Sequence, residues 1–221
     1  MNRTLTQTPT PPRGKARAME RPHSGKNLTV QDIAEACQTA LNFDVGFGLQ
    51  LGAAAFQLLG GKETIDLEDL NTAGATEHRA SLTRDDAGEG RDTLRVNPDR
   101  LRAMLDDSDD PDYLTVASLA KTRLRVEAAS GLPPLEGHGL TMALGESGLL
   151  LLGMADGPIS APIDSAALRA PKDRVSAWFL TEELPVELGW QPASRVLTIA
   201  DVAALSQAVV AAQIGLAGLT N

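Results

Sequence analysis

Thr115-Val116-Ala117-Ser118-Leu119-Ala120-Lys121-Thr122-Arg123-Leu124-Arg125-Val126-Glu127 is the stretch on which the fold turns. Thr115 suits a helix N-cap, because its hydroxyl can accept an otherwise unsatisfied first-turn N–H. Val116, Leu119 and Ala120 then recur at the i, i+3, i+4 spacing of one helix face, which predicts a helix to about Ser130. The inward stripe runs directly into Arg123 and Glu127, one turn apart and side by side. Two readings stay open on this pattern. One is an ordinary ion pair at a helix end. The other is a carboxylate whose proton affinity is tuned by burial and by a neighbouring cation, as proton transfer requires.

The same period repeats on both sides. Upstream, Thr29-Val30-Gln31-Asp32 is a capping-box pattern, followed by Val30, Ile33, Ala34, Cys37, Ala40 and Leu41 on one face. Cys37 falls in mid-stripe and reads as an inert core thiol. Asp44 can cap a second helix to about Leu59, apolar on all sides and containing Gly46, Gly48 and Gly52. No strand precedes those glycines, and Gly60-Gly61-Lys62 lacks the upstream glycine of a P-loop, so neither nucleotide reading holds. Asn97-Pro98 forms an N-cap and N1 pair for a short helix bearing Leu101, Met104 and Leu105.

Downstream, Gly131-Leu132-Pro133-Pro134 breaks the chain before an apolar helix, Leu140 to Met154, whose one charge is Glu146. Pro171 fits the first turn of a helix carrying Val175, Trp178 and Phe179 and stopped by Pro185. Thr198-Ile199-Ala200-Asp201 opens a last helix through Ile214, with Val202, Leu205 and Val209 inward. No segment alternates with period two. The expectation is an all-α, single-domain bundle of about seven helices.

Charge and composition narrow the function. The net charge is −9, and residues 1–28, with six basic side chains against Glu20, carry +5 of it, leaving about −14 on the rest. A nucleic-acid partner is therefore disfavoured, since phosphates call for a basic patch. Residues 1–26 mix Pro, Thr, Gly and Arg without apolar period and read as a flexible basic arm. One cysteine excludes an intrachain disulfide and a thiolate cluster. No membrane span and no secretory signal are expected, which favours a cytoplasmic location. The acidic run from Asp106 to Asp112 lacks the glycine and terminal glutamate of an EF-hand and reads as a solvated turn.

The best candidate for chemistry is Glu77-His78-Arg79-Ala80-Ser81-Leu82-Thr83-Arg84-Asp85-Asp86, with a carboxylate, an imidazole and a hydroxyl within five residues. Its plainer reading is a polar helix end.

Four pieces, in order, resemble the haem haloperoxidase family, the haem-thiolate peroxidases that include chloroperoxidase and the unspecific peroxygenases. They are Pro22-His23-Ser24-Gly25-Lys26-Asn27-Leu28-Thr29, then Leu70-Asn71 through Glu77 to Asp86, then Arg123 to Ala128, and lastly Trp178-Phe179 through Glu182-Glu183-Leu184-Pro185 to Trp190. The resemblance implies a chloroperoxidase-like helical domain over 27–217 that uses hydrogen peroxide on small organic substrates, with haem b as cofactor. It further implies a magnesium or manganese ion held by the Glu77 carboxylate, the His78 carbonyl and the Ser81 hydroxyl. Glu127 takes the role of the family's acid–base glutamate, with His78 or Arg123 orienting it.

Two departures shape the alternatives. Arg79 stands where the family carries aspartate, placing a positive charge beside the implied cation. The family's Pro-Cys-Pro ligand is not found in these residues, and Cys37 belongs to a helix stripe. His23 or another upstream group as iron ligand, a chain beginning short of that motif, and a family member without haem acting as a small-molecule or protein-binding scaffold all stay open. With aromatic residues at 3%, an aliphatic pocket lined by Leu, Val and Ala is the expectation.

Overall fold

The computed structural model describes residues 24–72, 76–86 and 92–218. Among them are seven α-helices: α1 Val30–Leu41, α2 Val45–Leu58, α3 Pro98–Asp106, α4 Val116–Ala129, α5 Gly137–Met154, α6 Lys172–Thr181 and α7 Ile199–Gly218. The protein is all-α, as the helical periods predict.

Each start follows from its cap. The Thr29 hydroxyl accepts Asp32 N–H at 3.2 Å, and Asp32 returns the bond to Thr29 N–H at 2.9 Å. Asp44 accepts Phe47 N–H at 3.1 Å, Asn97 accepts Asp99 N–H at 2.9 Å, and Thr115 accepts Ser118 N–H at 3.2 Å. Helix α1 ends at Asn42, which adopts the left-handed conformation that asparagine tolerates (φ 57°). α1 and α2 then close as a hairpin. A Cβ on Gly48 would lie 2.6 Å from the Ala34 backbone, so glycine there is what lets the two helices touch. The hairpin is tied to the rest through Asp44 N–H to Leu197 carbonyl at 2.7 Å and Leu197 N–H to Asn42 carbonyl at 2.9 Å.

The centre is built from α4, α5 and α7. α7 lies on both of the others and buries Val202, Leu205 and Val209. The main core gathers Phe43, Met104, Leu119, Leu151, Met154 and Leu205 among its buried side chains. A smaller apolar cluster of Ala80, Val126, Leu135 and Ala143 sits apart and underlies the candidate site. Cys37 packs half-buried against the main core, and burial pushes its thiol up toward the protonated form.

Several local expectations are corrected. Two two-residue strands, β1 Tyr113–Leu114 and β2 Ala170–Pro171, pair antiparallel, too short for any alternation to reveal. α6 stops at Thr181, four residues before Pro185, because Glu182 turns left-handed and its N–H caps the Trp178 carbonyl. Pro171 is the N-cap of α6 and lies just outside its first turn. α7 runs on to Gly218. By length and composition it is also long and apolar enough to cross a membrane, with a mean hydropathy of 1.6 and 17% of that window buried. Of the expected arm, residues 1–23 lie outside the described residues. Gly25 accepts Leu67 N–H at 2.8 Å and Lys26 pairs with Asp66 at 3.3 Å.

Candidate active site

The stretch from Thr76 to Asp86 is a loop, not a helix end, and its polar residues are spent on holding it in shape. Asp86, 9% exposed, accepts Ala80 N–H at 2.9 Å and Ser81 N–H at 3.3 Å. Ala80 takes a left-handed conformation (φ 59°), which for a residue with a Cβ has to be stabilised by its surroundings. The Asp86 carboxylate supplies that stabilisation on one side of Ala80. On the other side, its carbonyl accepts Nη1 of Arg123 at 2.5 Å.

Arg123 is the largest fully buried side chain among the described residues, at 0% exposure. Its Nη2 donates to Glu127 Oε1 at 2.9 Å, as the i, i+4 spacing predicts. Burial lowers its proton affinity, and the Glu127 carboxylate opposes that. A surface ion pair is therefore the wrong description of this pair on the arginine side. The Nε of Arg123 is buried without a hydrogen-bond partner.

His78 does not meet Glu127 in a hydrogen bond. Its Nε2 lies 3.0 Å from Oε2 of Glu146, on α5, and its Nδ1 lies 2.9 Å from the Arg79 carbonyl. A carbonyl oxygen can only accept, so Nδ1 carries a proton. Nε2 is then the ring nitrogen that faces the Glu146 carboxylate, and it donates to Oε2 when the ring is the imidazolium. Burial disfavours the charged imidazole, but the Glu146 carboxylate and the Arg79 carbonyl together outweigh it and hold His78 above the ordinary histidine range. The two partners differ in access: the His78 side chain is 8% exposed and that of Glu146 is 44% exposed. The dyad thus has a buried base and an open carboxylate.

The structure therefore brings Arg123, Glu127, His78 and Glu146 to one region, joined through Ala80. Glu146 is the residue the sequence reading left without a role. The available signal was its isolation as a single charge in an otherwise apolar helix, a placement that is costly without a partner. Of the implied cation set, Glu77 is half-buried, and Ser81 accepts Arg84 N–H at 3.3 Å through its hydroxyl. Among the described residues no group of three or more His, Cys, Asp or Glu is arranged to hold a metal. Arg79 sends Nη1 to Ser130 Oγ at 3.2 Å and Nη2 to the Pro133 carbonyl.

Two concavities lie away from this cluster. One, of about 290 Å³, is lined by Leu144, Val210, Ala211 and Ile214 with Ser206 and Gln207. The other, of about 470 Å³, is polar and lined by Tyr113, Asp156, Lys172 and Arg174 among others.

No curated protein matches the chain. A family model does, over residues 22–195, a span that takes in the loop, the buried arginine and the His78–Glu146 dyad. On that match, the chain belongs to the family described as "Peroxidase, family 2".

Proposed function

We propose that this protein performs peroxide chemistry with Glu146 as its acid–base group and His78 as the partner that sets its protonation. Family membership supports a peroxidase-type oxidoreductase in general. The observation that carries the finer assignment is the 3.0 Å contact between His78 Nε2 and a Glu146 carboxylate open to solvent. A carboxylate in that position can accept a proton from hydrogen peroxide, leaving hydroperoxide, and return it, with the neighbouring imidazole steadying the carboxylate. Glu127, the sequence-based candidate for this role, is 18% exposed and has Oε1 bound to Arg123. Its role in this reading is to neutralise the buried guanidinium, and Arg123 in turn fixes the loop through Ala80.

Haem b is the cofactor the family implies. Haem, if bound, would supply an iron for redox chemistry with peroxide. Cys37 does not fit the thiolate that would hold the iron: such a ligand must be ionised, whereas the Cys37 thiol packs against the main core and burial pushes it up toward the protonated form. His23, the upstream candidate, lies outside the described residues. Glu77, the His78 carbonyl and Ser81 offer three hard oxygens, a donor chemistry suited to magnesium or manganese; a rise in melting temperature with either ion, lost in Glu77→Gln, tests that site.

The Cys37 environment favours a second reading, a helical scaffold without haem that binds a small apolar molecule or a protein. Haem titration separates the two. The peroxidase reading expects a Soret band and peroxide-dependent oxidation of a small organic substrate. Protein that takes up no haem and shows no turnover supports the scaffold.

A further inference from the structure

We propose that Arg79 is a positioning residue that holds His78 in register with Glu146 by clamping the 76–86 loop to the connection between α4 and α5. The inference rests on the His78–Glu146 assignment made above. His78 Nδ1 is bonded to the carbonyl of Arg79 itself, at 2.9 Å, so wherever the Arg79 backbone sits, one ring nitrogen of His78 is fixed. The Arg79 side chain then anchors that backbone across the fold, 51 residues away at Ser130 and 54 away at Pro133. Ser130 closes α4, donating through Oγ to the Glu127 carbonyl at 2.7 Å, and Pro133 lies in the connection that leads into α5.

α5 carries Glu146. The guanidinium therefore ties the segment bearing one member of the dyad to the segment leading into the helix that bears the other. Arg123 makes the matching tie one residue on, at the Ala80 carbonyl, from inside the core. Two successive carbonyls, 79 and 80, thus sit at the meeting point of His78 and two arginines. The planar fork of arginine suits this use, because its two terminal nitrogens reach two acceptors at once; lysine reaches one. The competing description is plain C-terminal capping of α4 by a basic side chain, which would steady the helix but leave the imidazole alone.

The test reads the imidazole directly. The chain has three histidines, His23, His78 and His138, so ¹⁵N-histidine labelling gives a spectrum that a His78→Gln control assigns. In the intact protein at neutral pH, the His78 ring N–H signals are expected to be protected and visible, since the side chain is 8% exposed. Arg79→Ala is expected to lose them to solvent exchange, and Arg79→Lys to retain them in part, while the far-ultraviolet dichroism of both stays that of the wild type. Folded Arg79→Ala with unchanged His78 ring signals overturns the proposal and leaves simple helix capping. Should Arg79→Ala fail to fold, Ser130→Ala removes one of the two anchors and is expected to weaken the same signals; their persistence there overturns it equally. Glu146→Gln in the Arg79 background separates the layers. If it leaves the His78 signals unmoved, the dyad reading itself has failed and the positioning role falls with it. If it moves them while Arg79→Ala does not, only the positioning role has failed.

Discussion

Arg123 and His78 are two basic side chains held in different ways, and substitutions at each have different consequences. Arg123 is enclosed, bonded to Glu127 and to the Ala80 carbonyl, and no solvent can replace those partners. Removing one member of a buried pair leaves the other uncompensated at a cost of about 3–5 kcal/mol. Arg123→Leu should therefore lower the urea-unfolding free energy by about 3 kcal/mol or more; a loss within the scatter of surface substitutions would mean that the guanidinium is not enclosed. His78 has its proton affinity raised in the folded state by Glu146. The linkage has one sign. The pair's contribution to stability is complete below the unfolded histidine value of about 6.5 and is lost as pH rises through the higher folded value. Stability measured across that window should fall with pH in the wild type and flatten in His78→Gln. The i, i+4 pairing of Arg123 with Glu127 was legible from spacing alone. The choice of Glu146 by His78 was not, because 68 residues separate them and only packing brings α5 against the loop.

Among the helices, sequence signals worked where the determinant was local. The caps at Thr29, Asp44, Asn97 and Thr115 each predicted a start that the hydrogen bonds reproduce. The chemistry-bearing stretch misled as a helix end because serine, threonine and aspartate serve loops as readily as caps, and here Asp86 spends its carboxylate on the loop's own N–H groups. Helix contacts make a further prediction through glycine. A Cβ at Gly48 would strike the Ala34 backbone at 2.6 Å, whereas one at Gly145 on α5 meets nothing within 4 Å. Gly48→Ala should destabilise by about 1–3 kcal/mol through overpacking of the α1–α2 hairpin. Gly145→Ala should stabilise by about 0.5–1 kcal/mol through helix propensity alone. Equal effects of the two in thermal or urea unfolding would contradict the close helix approach. A third contact joins α3 to α4. Asp107 accepts Thr122 Oγ1 at 2.8 Å and Arg125 Nε at 2.9 Å with its own side chain buried, so Asp107→Ala should cost about 1–3 kcal/mol in the same assay.

Over the whole molecule, apolar helices meet a strongly acidic composition, and the site forms where the apolar interior admits charge. The cluster of Ala80, Val126, Leu135 and Ala143 gives the site a dry floor, while the Glu146 side chain reaches solvent. Apolar surroundings strengthen the Arg123 and His78 interactions. The all-α architecture was legible in period and caps, because each helix announces itself within a dozen residues. The location of the dyad was not, since it depends on how α4, α5 and α7 stack. The proposed role of Glu146, in place of Glu127, as the proton carrier is decided by peroxide-dependent oxidation rates of haem-supplemented wild type, Glu146→Gln and Glu127→Gln. The prediction is a loss of about 10²–10⁴-fold in Glu146→Gln, the usual range for removing a positioned acid–base group, with Glu127→Gln retaining turnover at reduced stability. Full turnover in Glu146→Gln together with its loss in folded Glu127→Gln would contradict the account.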